Sequence, residues 1–162
     1  MGRKNSVTRD ELRAYIAEHY DGRLKPLKTG KYDPLYEVAV DKIFEVAKAL
    51  KEDDNLKFDF LCNLGGVDTG EHFEAVYNIA SISNNLRLDF KVIMSYDQAE
   101  VESLQEIWPA INWYEREMWE LYGINVKNHD NLTRFLLPDD WDQGHPMRKD
   151  WDAPDFKRKP EL

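Results

Sequence analysis

Glu115, Arg116, Glu117 and Glu120 place three carboxylates and a guanidinium within six residues, and His129, Asp139, Asp140, Asp142 and His145 follow close behind. Oxygen and nitrogen donors in that number are the raw material of general acid–base chemistry or of a divalent-metal site. Their spacing matches neither H-E-x-x-H nor an EF-hand loop, so metal ligands are not expected among them. A nucleophilic centre has less support still. Cys62 sits in an apolar run, no G-x-S-x-G elbow occurs, and Gly65-Gly66 reads as a turn without the rest of a phosphate-binding loop. Because Cys62 is the single cysteine, this chain alone forms no intramolecular disulfide, iron–sulfur cluster or Cys-type zinc site. A free-standing metal-dependent hydrolase built on the acidic and histidine residues stands as the alternative from a different functional class.

The carboxylates belong to a helix expected from Trp113 to Tyr122, with Asn112 as N-cap, Glu115 at its N3 position and Gly123 as its stop. Tyr114, Met118, Leu121 and Tyr122 recur at helical spacing and are expected to face the core, leaving Glu115, Arg116, Glu117 and Glu120 more exposed. Glu120 then stands in the last turn, where negative charge opposes the helix dipole, and Arg116 precedes it in the poorer order for an i,i+4 pair. Either these charges answer a partner or anchor the following segment, or they form a solvated face costing roughly a few tenths of a kcal/mol.

Upstream, Thr8 and Glu11 make a capping-box pattern ahead of a helix over residues 9–20, ended by Asp21-Gly22. A short strand is read at Leu35–Val40 and a second helix from Ile43 to Leu50. Leu56 to Cys62 alternates as a strand that turns at 63–68. Phe73–Ile82 and Leu86–Met94 are strands joined by Ser83-Asn84-Asn85. A further helix is expected around Val101 to Ile107. This order predicts an α+β two-layer sandwich, with helices on one face of a mixed or antiparallel sheet, occupying residues 1–124. Residues 125–162 are expected to be an extended, partner-docking tail that is not an independent domain.

Composition agrees with one folded domain: 162 residues, 42% hydrophobic, 12% aromatic and 33% charged. The net charge of −9 argues against duplex nucleic acid as a partner. Residues 1–31 carry +4, residues 32–147 carry −14 and residues 148–162 carry +1, so the two ends are expected either to fray or to engage other surfaces. No stretch is long and apolar enough for a membrane span or a signal peptide, and a cytosolic location is expected. The Met1-Gly2…Ser6 match to a myristoylation pattern is short and is read as an ordinary N-terminus.

From Asn128 to Trp151 the sequence NHDNLTRFLLPDDWDQGHPMRKDW interleaves prolines, a glycine and aromatics, which suits an extended segment docking Phe135, Leu136, Trp141 and Trp151 onto its own domain or a partner's. Here Glu115-Arg116-Glu117, Glu120-Leu121-Tyr122-Gly123-Ile124, His129, Leu132, Arg134-Phe135-Leu136, Leu137-Pro138-Asp139-Asp140-Trp141 and Gly144-His145-Pro146-Met147-Arg148-Lys149-Asp150 closely resemble the signature of the 30 kDa subunit family, the C subunit, of respiratory complex I. Asp130 stands where the family usually has proline, Thr133 where it often has a basic residue, and Trp151 where Tyr or Phe is usual.

The resemblance implies a non-catalytic subunit of a proton-pumping NADH:quinone oxidoreductase, with catalytic, cofactor and metal residues absent from this chain. FMN, iron–sulfur clusters and quinone would sit on other subunits. Its implied partners are the large quinone-site subunit of the 49 kDa type and neighbouring iron–sulfur subunits. Its implied place is the cytoplasmic face of the energy-conserving membrane, as a peripheral, free-standing subunit. The resemblance makes Arg116, Glu117, Glu120, His129, Arg134, Asp140, Trp141, Arg148 and Lys149 the residues for partner contact or tail anchoring. Equivalent subunits of ferredoxin-dependent photosynthetic complexes or membrane-bound hydrogenases are the nearest alternative.

Overall fold

The computed structural model describes residues 8–27 and 34–153. The myristoylation pattern, the remainder of the basic first stretch and the end of the tail lie outside the described residues. Helix α1 (Arg9–His19) opens with the expected capping box: the Thr8 hydroxyl accepts the Glu11 N–H, and the Glu11 carboxylate accepts the Thr8 N–H. β1 (Lys25–Pro26) and β2 (Leu35–Glu37) follow, then α2 (Ile43–Glu52). The Tyr15 and Tyr20 hydroxyls both donate to Asp53 at the end of α2, tying the first two helices together.

β3 (Phe60–Asp68), β4 (Phe73–Ser81) and β5 (Leu86–Met94) complete a five-stranded mixed sheet in the order β1-β2-β5-β4-β3, with β2 parallel to β5 and the other pairs antiparallel. Alternation decides its faces. Phe73, Ala75, Tyr77 and Ile79 of β4 and Leu86, Leu88, Phe90, Val92 and Met94 of β5 are buried with α1 and α2 residues such as Leu12, Ile16, Val46 and Leu50. Tyr77 lies opposite Phe90, their rings 4.8 Å apart and nearly parallel. The other face carries the polar pairs Lys91–Glu74 and Asn78–Asp89.

The turn expected at 63–68 is instead the second half of β3, and the chain reverses at Thr69–His72. Gly66 pairs with Ala75 on the covered face, where Met118 and Tyr122 of α3 (Ile111–Tyr122) lie against it. A Cβ there would come within 2.8 Å of Tyr122 and 3.1 Å of Met118, so the glycine admits a helix rather than bends a strand. The helix expected around Val101–Ile107 is also corrected. Its first part is the strand β6 (Glu100–Glu102), in which buried Val101 alternates with two glutamates, and it pairs in parallel with β7 (Asn125–Lys127). β7 lies at the start of the stretch read as tail, and the expected strand at Leu35–Val40 ends at Glu37.

Candidate functional site

The helix that carries the charged signature begins at Ile111, with Ala110 rather than Asn112 as N-cap, and Asn112 donates to Gln105 from within its first turn. Gly123 ends it in the left-handed region (φ +72°), as a C-terminal glycine does. The expected exposure of Glu115, Arg116 and Glu120 is overturned: they are 0%, 7% and 2% exposed, and Glu117 remains at the surface. Charge had marked this face as outward, yet segments distant in sequence fold over it and satisfy each group. Of the expected core residues only Met118 is fully enclosed, whereas Tyr114, Leu121 and Tyr122 are half-buried.

Glu120 accepts three successive backbone N–H groups from the tail, those of Phe135 (3.3 Å), Leu136 (3.1 Å) and Leu137 (2.7 Å). A carboxylate used in this way substitutes for a strand partner and fixes the path of the segment. One turn earlier, Arg116 donates to the Thr133 carbonyl (2.8 Å), the Thr133 hydroxyl and the Arg134 carbonyl. Its guanidinium lies 4.7 Å from the Trp113 ring centroid and 4.8 Å from that of Phe135, and the two rings meet edge to face at 5.1 Å. The opposite charges of Arg116 and Glu120 thus grip carbonyls and amides of adjacent tail residues.

A second grip lies at the end of α3. His145 Nδ1 stands 3.0 Å from the Glu120 carbonyl, the Met147 N–H donates to Leu121, and Arg148 Nε donates to the Tyr122 carbonyl at 2.6 Å. Arg148 also stacks on Phe73, 5.0 Å from the ring centroid. Asp68, at the end of β3, accepts from Tyr96, from the Gly70 N–H and from the Lys149 N–H, and Lys149 Nζ reaches the Thr69 carbonyl. Burial works to raise the Asp68 carboxyl, but these hydrogen bonds and the Lys149 charge outweigh it and hold the group below the usual carboxylate range.

Glu115 points the other way, into the domain. It accepts the Ser103 hydroxyl (2.7 Å) and the Leu104 N–H (2.8 Å), locking the loop after β6 onto α3. His129 Nε2 lies 3.8 Å away, and both side chains are wholly buried. The Asn131 N–H donates to His129 Nδ1, which assigns the ring proton to Nε2, facing the Asn112 carbonyl and Glu115. Burial pushes the Glu115 carboxyl up to about 7, against the lowering effect of its two donors.

Among the residues expected to matter, Arg116, Glu120 and Arg148 therefore converge on the seam between α3 and the tail, Lys149 binds the end of β3, and His129 lies at the tail's root. Arg134 contributes its backbone carbonyl and is itself exposed. Trp141 donates to Gly144 and its ring lies 6.2 Å from that of Trp151, while Asp140 and Glu117 are exposed. Sequence reasoning missed Asp68, Ser103 and Tyr96. The Asp68-Thr69-Gly70 turn chemistry is legible locally, but Lys149, its partner, is 81 residues away. Phe135, Leu136, Trp113 and Met147 remain exposed along the same seam. No group of three or more His, Cys, Asp or Glu side chains among the described residues is placed to hold a metal ion. No helix among them is long and apolar enough to cross a membrane.

Comparison with known proteins bears on this geometry. The family model for the respiratory-chain NADH dehydrogenase 30 kDa subunit matches residues 36–157. The C subunit of the NADH-quinone oxidoreductase of Roseiflexus castenholzii is 42% identical over 116 residues, 70% of this chain and 66% of that protein. Its Mycolicibacterium gilvum counterpart is 40% identical over 119 residues, 71% of this chain and 52% of that one. The chain thus spans about half to two-thirds of the length of these relatives. A chain of the membrane-bound sulfane sulfur reductase, an archaeal respiratory membrane complex, shares the fold with a TM-score of 0.74 at 23% identity, covering 90% of this chain and 86% of that one. Since the family model spans most of the sequence, including the three long strands β3–β5 and the seam that binds the tail, this chain belongs to the 30 kDa subunit family of respiratory-chain NADH dehydrogenase.

Proposed function

We propose that this chain is a non-catalytic subunit of the peripheral arm of a proton-pumping NADH:quinone oxidoreductase, where it holds its tail as a fixed docking ledge for the large quinone-site subunit and neighbouring iron–sulfur subunits. FMN, iron–sulfur clusters and quinone reside on those other subunits, and the chain reaches the cytoplasmic face of the membrane through them. The observation that carries this reading is the investment of buried charge in the tail. Arg116 and Glu120 use their hydrogen-bonding capacity on tail backbone, while Trp113, Phe135, Leu136 and Met147 stay exposed beside it. A segment held in this way presents apolar side chains with little ordering left to do, which favours association.

The test is affinity purification of the tagged chain from mild-detergent membrane extracts, with mass spectrometry and a quinone reductase assay. Stoichiometric iron–sulfur and membrane subunits are the expected result, and the input module recovered names the electron donor, NADH or another. A lone, monodisperse chain would overturn the proposal. Arg148→Ala combined with Lys149→Ala, which removes the Tyr122 and Thr69 contacts, should lower the yield of the assembly while the α+β domain stays folded by circular dichroism. Wild-type yield and activity in that double variant would count against a role for the seated tail.

A further inference from the structure

β3 is the outer strand of the large sheet, and among the described residues none pairs with the side of it that faces away from β4. Register says which groups stand on that side. The Asp89 N–H and the Lys91 carbonyl of β5 are bonded to Pro34 and Val38 beside β2, so Asn78 and Val76, opposite them on β4, turn to β3 and meet Asn63 and Gly65. The N–H and C=O groups of Leu64 and Gly66, which alternate with these, therefore point outward. Natural sheets guard such an edge with charge or proline. Phe60 to Val67 has neither, and the bulge between Leu61 and Asn63 leaves residues 63–67 regular.

The helix beneath is uncovered on the same side. Met118 and Tyr122 of α3 lie directly under Gly66. The flank of α3 that bears Asn112 and Glu115 meets Gln105, Leu104 and His129, on the side of β6 and β7. At 3.6 residues per turn Tyr114 and Leu121 stand on the opposite flank, the one below the open edge. Both remain half-buried, although their spacing marks them for the core. On the upper face of the same edge Phe60 and Val67 are 51% and 40% exposed.

We infer that β3 takes an added strand: an extended, uncharged segment of a partner chain, whose backbone bonds to Leu64 and Gly66 and whose alternate apolar side chains close over Tyr114 and Leu121. Only an extended chain meets such a row of N–H and C=O groups, so a helical segment does not fit. A second copy does not fit either. It would bring its own α3 beneath its own edge strand, and paired strands lie about 4.8 Å apart whereas packed helices need about 8–10 Å between axes. Residues 1–7, 28–33 and 154–162 of this chain are each broken by charge, and none holds five uncharged residues in a row. The occupant is thus an arm or terminal strand of another subunit with no helix packed beneath it. The inference rests on the functional reading above only in requiring a partner chain.

The experiment places the photo-reactive residue p-benzoylphenylalanine at Val67 and irradiates the assembly extracted from membranes. The expected adduct lies in a partner chain, within a stretch of at least five uncharged residues. Deuterium exchange resolved to single amides, on the full chain alone and in the assembly, gives a second readout. The Leu64 and Gly66 amides should slow at least about tenfold on assembly, whereas those of Asn63 and Gly65, already bonded to β4, should change little. Asn63→Lys combined with Gly65→Lys sets two charges on the open face of the edge, where a side chain at Gly65 has room, and should cut the adduct yield at least about tenfold with strand content unchanged by circular dichroism. An adduct within this chain, in a second copy or in a charged stretch would overturn the inference. So would full yield in the double variant, or unslowed Leu64 and Gly66 amides in a complete assembly, and either would leave the functional reading standing. Recovery of the chain alone would overturn both together.

Discussion

Glu120 has the most to lose from substitution, because its carboxylate accepts from three consecutive tail amides. Glu120→Ala strands those donors, and at about 1–3 kcal/mol for each buried unsatisfied group the tail should leave α3 rather than stay unpaired. Hydrogen exchange should then quicken at residues 133–137 while β4 and β5 stay protected. Glu115 makes a different prediction. The folded state keeps its proton up to about pH 7, whereas the unfolded chain releases it near 4.5. That proton's stabilisation is therefore complete below about pH 4.5 and is lost as pH rises through 7. Relative to Glu115→Gln, the wild-type chain should lose roughly 3 kcal/mol between those limits, read from urea unfolding at a series of pH values. Glu120's tail anchoring was one reading of its charge and was implied by the family resemblance, whereas its burial, and the role of Glu115, were not legible in the sequence. Helical periodicity assigns charged positions outward, and only the groups that fold over them, Ser103, Leu104 and residues 135–137, reverse that assignment.

At the level of helices and strands, legibility follows the range of the signal. The capping box of α1 and the β4–β5 hairpin rest on contacts a few residues long or on strict alternation, and both fold as the sequence indicates. Asn85, in the hairpin turn, takes a positive φ that asparagine tolerates. Gly65-Gly66 misleads because the same residue type marks a turn or a close approach, and the element that approaches, α3, lies some fifty residues downstream. β6 misleads because three residues are too few for a period to show, and its partner β7 arrives only after the intervening helix. Gly66→Ala tests the close approach directly. The added methyl meets Tyr122 and Met118, so α3 must shift from β3 at a cost of about 1–3 kcal/mol, seen as a lower urea midpoint with unchanged helix content.

Across the whole chain, the sandwich and the tail meet through two separate grips, one on α3 at residues 133–137 and one at residues 145–149. Asp68→Ala removes the acceptor of the Lys149 N–H, along with those of Tyr96 and Gly70, and leaves the grip on residues 133–137 untouched, so proteolysis should open the tail near Lys149 first and spare Arg134. Equal cleavage at both places would mean that the grips act as one unit. The fold class and the existence of a docked tail were readable from element order and from the mixed proline and aromatic composition of residues 128–151. The family resemblance pointed to several of the seam's residues but not to their pairings, which join residues up to 81 positions apart. That separation also sets a timetable. On the ribosome every strand of the large sheet is made before α3, and Asp68 waits for Lys149 until nearly all of the described chain has been synthesised. During that interval the nascent sandwich carries an open seam, with Arg116 and Glu120 uncovered and hydrated. Closing it must wait for residues 145–149, and a neighbour that reads the closed seam would recruit only chains synthesised past them.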